Sequence, residues 1–96
     1  MKFKKISCAT AKKLFKEGKP FYACPRKLNP SSPWNVAVLV LSGKEWREKA
    51  ERYKDDPKMW KGSVDKTAWE LFMNNWKYYN SSYEMGYYPA YYVELV

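Results

Sequence analysis

Trp69, Phe72, Met73 and Trp76 recur at i, i+3, i+4 and i+7. That spacing places four large apolar side chains on one face of a helix. A helix with such a face has to bury it, so the stripe predicts the core of the domain. Asp65 is expected to cap this helix, and Tyr79-Asn80 to end it, because Asn tolerates the left-handed geometry of a C-terminal cap. The stripe opens a longer stretch, Trp69 to Val96, with ten of the chain's aromatic residues: Trp69, Phe72, Trp76, Tyr78, Tyr79, Tyr83, Tyr87, Tyr88, Tyr91 and Tyr92. A core needs some of these and hardly all. After a polar turn, Pro89 opens a closing strand, Ala90 to Leu95. Alternation there points Tyr91, Val93 and Leu95 one way and Tyr92 and Glu94 the other.

The rest of the chain supplies layers for that helix to cover. Lys2 to Ile6 alternates polar and apolar residues and reads as an edge strand guarded by lysines. Ser7 or Thr10 can cap a helix whose apolar positions are Ala11, Leu14 and Phe15, with Gly18 as its stop. Pro20 leads into a strand, Phe21 to Cys24, and Pro25 ends it. A proline-stiffened polar loop follows, carrying Arg26, Lys27 and Asn29. Trp34 to Leu41 is apolar and β-branched on both faces, which predicts a central strand covered on both sides. Ser42 is expected to cap a solvated helix from Lys44 to about Lys54, with Trp46, Ala50 and Tyr53 inward and Glu45–Lys49 and Glu48–Arg52 as i,i+4 pairs. Asp55-Asp56-Pro57 ends it, and Met59 and Trp60 are expected to fold over the core. The resulting order, β-α-β-β-α-α-β, predicts a single small α+β domain over residues 1–96, a mostly antiparallel sheet with helices packed on it.

Charge is concentrated at one end. The net charge is +8, and residues 1–27 account for all of it: nine cations against Glu17. Residues 28–96 carry nine cations and nine anions. A field of this kind draws in anions, although it also serves solubility alone. Lys12 and Lys16 stand four apart on the first helix and repel each other mildly, as residues of a phosphate-facing surface do.

Several chemistries have no support. Histidine is absent, and Cys8 and Cys24 lack the paired spacing of a metal site, so no metal and no cofactor is expected. A serine or cysteine nucleophile would have no imidazole to activate it. No P-loop or dinucleotide fingerprint occurs. The expectation is therefore a binding protein and not an enzyme. A Cys8–Cys24 disulfide requires their elements to be adjacent. The longest apolar run, Val36 to Leu41, is too short to span a bilayer, and the lysine-rich start is not followed by the apolar run of a secretory signal. A soluble, cytoplasmic protein is expected, with no membrane partner.

Phosphates are held by Arg, Lys and backbone N–H groups, and bases stack on flat aromatic faces. The candidate ligand-binding residues are Arg26, Lys27 and Asn29 on the stiff loop, with Tyr78, Tyr79, Asn80, Tyr83, Glu84 and Tyr88 around the turn that follows the aromatic helix. Glu84 would accept from a base amino group or from ribose hydroxyls. The same tyrosines also suit local packing, with their hydroxyls bonded nearby. The aromatics of the last strand suit a ligand site or a homo-oligomer seam equally.

Three segments resemble a family of short uncharacterised proteins from phages and mobile elements of Gram-positive bacteria. They are Ala11-Lys12-Lys13-Leu14-Phe15-Lys16-Glu17-Gly18-Lys19, Phe21-Tyr22-Ala23-Cys24-Pro25-Arg26-Lys27-Leu28-Asn29-Pro30, and Tyr78-Tyr79-Asn80 with Glu84-x-Gly86 and Tyr91-Tyr92-Val93. Arg26 stands where that pattern often has a second cysteine. The resemblance implies a role in countering host defence inside an infected or host bacterial cell. It supplies no catalytic residues. Two readings follow: a binder of a nucleotide signal or nucleic acid, and an anti-CRISPR-like module that blocks a host defence protein through its aromatic surface. The neutral middle and end of the chain argue against sliding on duplex DNA.

Overall fold

The computed structural model describes residues 2–26, 30–31, 37–80 and 88–95, with Tyr79 and Asn80 as backbone only. Its elements are β1 (Lys2–Ile6), α1 (Cys8–Glu17), β2 (Phe21–Cys24), β3 (Val38–Val40), α2 (Lys44–Glu51), α3 (Val64–Asn80) and β4 (Ala90–Leu95). This is the expected α+β order. Every strand pairing is antiparallel, and the sheet runs β1-β4-β2-β3.

Local chemistry explains the helix ends. Ser7 caps α1, its hydroxyl accepting from the Thr10 backbone N–H. Gly18 closes it at φ 75°, donating back to Phe15. That left-handed angle is cheap for glycine and costly for other residues. α3 is capped by Ser63, whose Oγ accepts from the Lys66 N–H at 3.2 Å, and not by Asp65. Asp65 lies in the first turn and is used for ion pairing instead. α2 is shorter than expected: beyond Glu51 the chain tightens into i→i−3 bonds at Tyr53 and Lys54. Ser42 lies one residue before the cap position, Gly43, and accepts from the Lys44 N–H. Lys49 reaches over the Trp46 ring, 4.5 Å from its centroid, in place of the expected pair with Glu45. Asp56 organises the following turn by accepting from the Lys58 N–H, which gives the paired aspartates a structural use.

The helices bury their apolar faces on one side of the sheet. Trp69, Phe72, Met73 and Trp76 are all buried, together with Ala11 and Phe15 of α1, Phe21 and Ala23 of β2, and Tyr91 of β4. The aromatic contacts are mostly edge-to-face, the arrangement that ring quadrupoles favour. Trp46, Val64, Leu71 and Val93 pack around this core. On the opposite face Phe3 and Tyr22 meet edge to face at 5.1 Å, and the Tyr22 hydroxyl donates to Glu94. Leu95, expected inward, is half-exposed at the end of β4.

The strand expected at the centre is at the edge. β3 pairs only with β2 among the described residues, and Val38 and Leu39 are half-exposed. The central slot is taken by β4, inserted between β1 and β2. An apolar, β-branched run is stable wherever one face is covered, so composition does not fix its place in the sheet. Trp34 to Val36 lie outside the described residues. β4 pairs with β1 from Tyr91 to Leu95 and with β2 only from Ala90 to Tyr92.

Both cysteines are free, Cys8 exposed and Cys24 buried. Burial raises the Cys24 thiol pKa. Cys8 faces the phenol of Tyr91, which also donates to Met73 Sδ at 3.4 Å. Burial raises the Tyr91 pKa well above 10.0, Cys8 adds to the rise, and Arg26 opposes it. The folded protein therefore keeps Tyr91 protonated to higher pH than the unfolded chain does. Its contribution to stability is intact below about pH 10 and is lost as pH rises toward the folded value. Above that point this residue removes at most about 1.4 kcal/mol per pH unit. Urea titrations at increasing alkaline pH are expected to show a shallower stability loss in Tyr91→Phe than in the wild type; equal slopes would contradict the assignment.

A candidate anion-binding cleft

The basic first quarter of the chain meets the N-terminal end of α3. Because Ala11 and Phe15 turn into the core, α1 leaves Lys12, Lys13 and Lys16 exposed. The chain before α3 is latched by Thr67. This residue is fully buried, and its hydroxyl accepts from the Lys61 N–H at 3.0 Å. The latch holds Lys61 close to the first turn of α3, where Lys66 lies.

Between these elements is a cavity of about 570 Å³, lined by Lys12, Lys13, Phe15, Lys16, Lys61, Asp65, Lys66, Trp69 and Glu70. Five lysines face two carboxylates. One of the two is already engaged: Asp65 takes Arg47 Nε at 3.1 Å on Oδ1 and Lys16 Nζ at 3.8 Å on Oδ2. The remaining field is positive, and the N-terminus of α3 adds its partial positive charge. Phe15 and Trp69 form an apolar floor, with Lys12 Nζ 5.7 Å from the Trp69 ring centroid. Trp69 thus serves the core and the cleft together. The arrangement can hold an anion by charge and shield its less polar part from water. Among the described residues no group of three or more His, Cys, Asp or Glu could hold a metal ion.

The residues singled out in the sequence lie elsewhere. Arg26 and Tyr88 are exposed, one just after β2 and the other just before β4. Arg26 follows and Tyr88 precedes the last paired residues, Cys24↔Ala90, at one end of the sheet. Tyr78 is 78% exposed in the last turn of α3, and Lys77 Nζ lies 4.7 Å from the Tyr88 ring centroid. Arg26, Tyr78 and Tyr88 do not line this cavity. Tyr79 and Asn80 end α3. Lys27, Asn29, Tyr83 and Glu84 lie outside the described residues. Lys66 and Tyr78 are separated by twelve positions of α3, roughly 18 Å along its axis, so the cleft and the tyrosine end are distinct places.

No protein-family model, curated protein or solved structure matches the chain.

The charge count already marked the α1 lysines. Their convergence with Lys61, Lys66 and Trp69 depends on the packing of α1 beside α3, which no local pattern encodes. Another cavity, about 440 Å³, lies between α2 and α3 and is lined by Trp46, Lys49, Arg52, Tyr53, Leu71, Asn74 and Asn75.

Proposed function

We propose that the protein is a non-enzymatic binder of an anionic ligand, with nucleotide phosphates the best chemical fit, and that the α1–α3 cleft holds the charge. The carrying observation is the convergence of five lysines on one cavity floored by Phe15 and Trp69. Lys12, Lys13, Lys16, Lys61 and Lys66 would meet the phosphate oxygens as mobile point charges, and Trp69 would meet an apolar edge of the ligand. The resemblance to phage and mobile-element proteins supports a setting in host-defence evasion, where sequestering a nucleotide signal is a useful activity. No described helix is long and apolar enough to cross a membrane.

Titration of the full chain with inorganic pyrophosphate and with a nucleoside triphosphate, followed by amide chemical shifts and calorimetry, tests this reading. Shifts are expected at Lys12, Lys16, Lys66 and Trp69. The double variant Lys12→Ala/Lys66→Ala is expected to weaken binding by about tenfold or more, equivalent to roughly 1.4 kcal/mol. Lys77→Ala, at the other end of α3, leaves binding unchanged. Absence of binding, or full affinity in the double variant, overturns the proposal. Shifts confined to Arg26, Tyr78 and Tyr88 would move the site to the tyrosine end.

A further inference from the structure

Among the described residues, every cation that lines the α1–α3 cavity is a lysine. Lysine presents a compact point charge on a flexible stem, whereas arginine presents a planar fork that fixes the orientation of what it holds. Arg47 is directed to Asp65 at 3.1 Å and does not line the cavity. The described lining residues also include no serine, threonine, asparagine, glutamine or tyrosine to read the donors and acceptors of a base. The aromatic floor is not a stacking platform either. Trp69 is 7% exposed and Phe15 3%. The Trp69 ring is enclosed by Phe15 at 5.2 Å, Phe21 at 6.4 Å and Tyr91 at 5.7 Å, and Lys12 Nζ lies over it at 5.7 Å. Stacking needs an open ring face, and neither residue offers one. What the cleft opens to solvent is charge. Its five lysines are all exposed, and they outnumber the two carboxylates, Asp65 and Glu70, by three.

We propose that the cleft recognises an oligophosphate chain by its number of charges and is indifferent to any base attached to it. The inference rests on the cleft being the anion site. A single phosphate brings about two charges at neutral pH, fewer than the excess in the cleft, whereas a chain of two or three phosphates meets or passes it. Inorganic oligophosphate and the phosphate chain of a nucleotide are then equivalent ligands. Glu70 separates this reading from recognition of a base. It is exposed on α3, one turn after Lys66, and its charge repels an incoming phosphate. A site that read a base would instead use that carboxylate to accept from an amino group.

Calorimetric titration of the full chain, with divalent cations removed, tests this. The titrants are phosphate, pyrophosphate, tripolyphosphate and the triphosphates of adenosine, guanosine, cytidine and uridine. Affinity is expected to rise at least about fivefold from phosphate to tripolyphosphate, and the four nucleotides to agree with one another and with tripolyphosphate within about threefold. Folded Glu70→Gln protein is expected to bind tripolyphosphate about twofold or more tightly than the wild type, because a repelling charge has left the cleft. A smaller rise, a wider spread, or an unchanged or weakened affinity in Glu70→Gln overturns the proposal. If none of these anions binds, the anion site itself falls and this inference with it. If they bind with a preference for one base, the site stands and only its indifference falls.

Discussion

Phe72→Ala is expected to cost about 3–5 kcal/mol of folding stability. Phe72 is buried where four elements meet, with ring centroids 5.6 Å from Phe15 of α1, 6.5 Å from Phe21 of β2, 5.8 Å from Trp46 of α2 and 5.4 Å from Trp69 of its own helix. Truncation removes the transfer free energy of the ring and all four contacts at once. These neighbours belong to different elements, so they cannot collapse onto one cavity without moving α1, α2 and β2 together. A domain of this size holds roughly 5–14 kcal/mol in all. The loss is therefore a large share of the total and is expected to lower the melting temperature by about 12 °C or more. Urea denaturation followed by tryptophan fluorescence measures it. Phe72→Leu is expected to lose less, because it keeps most of the apolar volume. Equal losses for the two variants would show that ring contacts, not volume, dominate; a loss below about 1 kcal/mol for alanine would contradict the central place given to Phe72.

That centre was legible because its signal is local. The spacing of Trp69, Phe72, Met73 and Trp76 needs only helical periodicity, and all four are buried. Phe21–Cys24 was equally plain, bounded by Pro20 and Pro25. The place of β3 was not, because order within a sheet depends on which distant segment inserts beside which. Residues Ala90 to Leu95 separate β1 from β2, and nothing in the Val38–Val40 run records that insertion. The capping of α3 shows a finer case. Ser63 and Asp65 both have oxygens suited to a cap, and the choice follows from tertiary use, since Asp65 is held by Arg47 and Lys16. The cleft was half legible. Charge counting found Lys12, Lys13 and Lys16, but assigning Trp69 wholly to the core hid its second role as the cleft floor.

Gly43→Ala is expected to destabilise the protein by about 1–3 kcal/mol through overpacking, although its backbone at φ −83° suits any residue. The obstacle is Phe15. A Cβ at Gly43 would lie 2.7 Å from Phe15 Cδ1, Cε1 and the Phe15 carbonyl oxygen. A ring can rotate away, but the carbonyl is fixed. It accepts from Gly43 N and from Gly18 N, both at 3.3 Å, and so joins the end of α1 to the start of α2. Moving it disturbs the α1 cap and puts about 1 kcal/mol of hydrogen bonding at risk. Gly18→Ala provides the contrast: its Cβ would meet only Ser42 at 3.8 Å, so the cost of roughly 1 kcal/mol comes from φ 75° alone. The variants also separate in function. Phe15 lines the α1–α3 cavity and Lys16 follows it, so under the proposed function Gly43→Ala is expected to weaken pyrophosphate binding along with stability, whereas Gly18→Ala leaves the cavity floor in place. Thermal melts with and without pyrophosphate measure both effects. Wild-type stability in Gly43→Ala would mean that α1 and α2 slide apart at no cost, and a cleft built on that junction would then lack the rigidity needed to hold its lysines together.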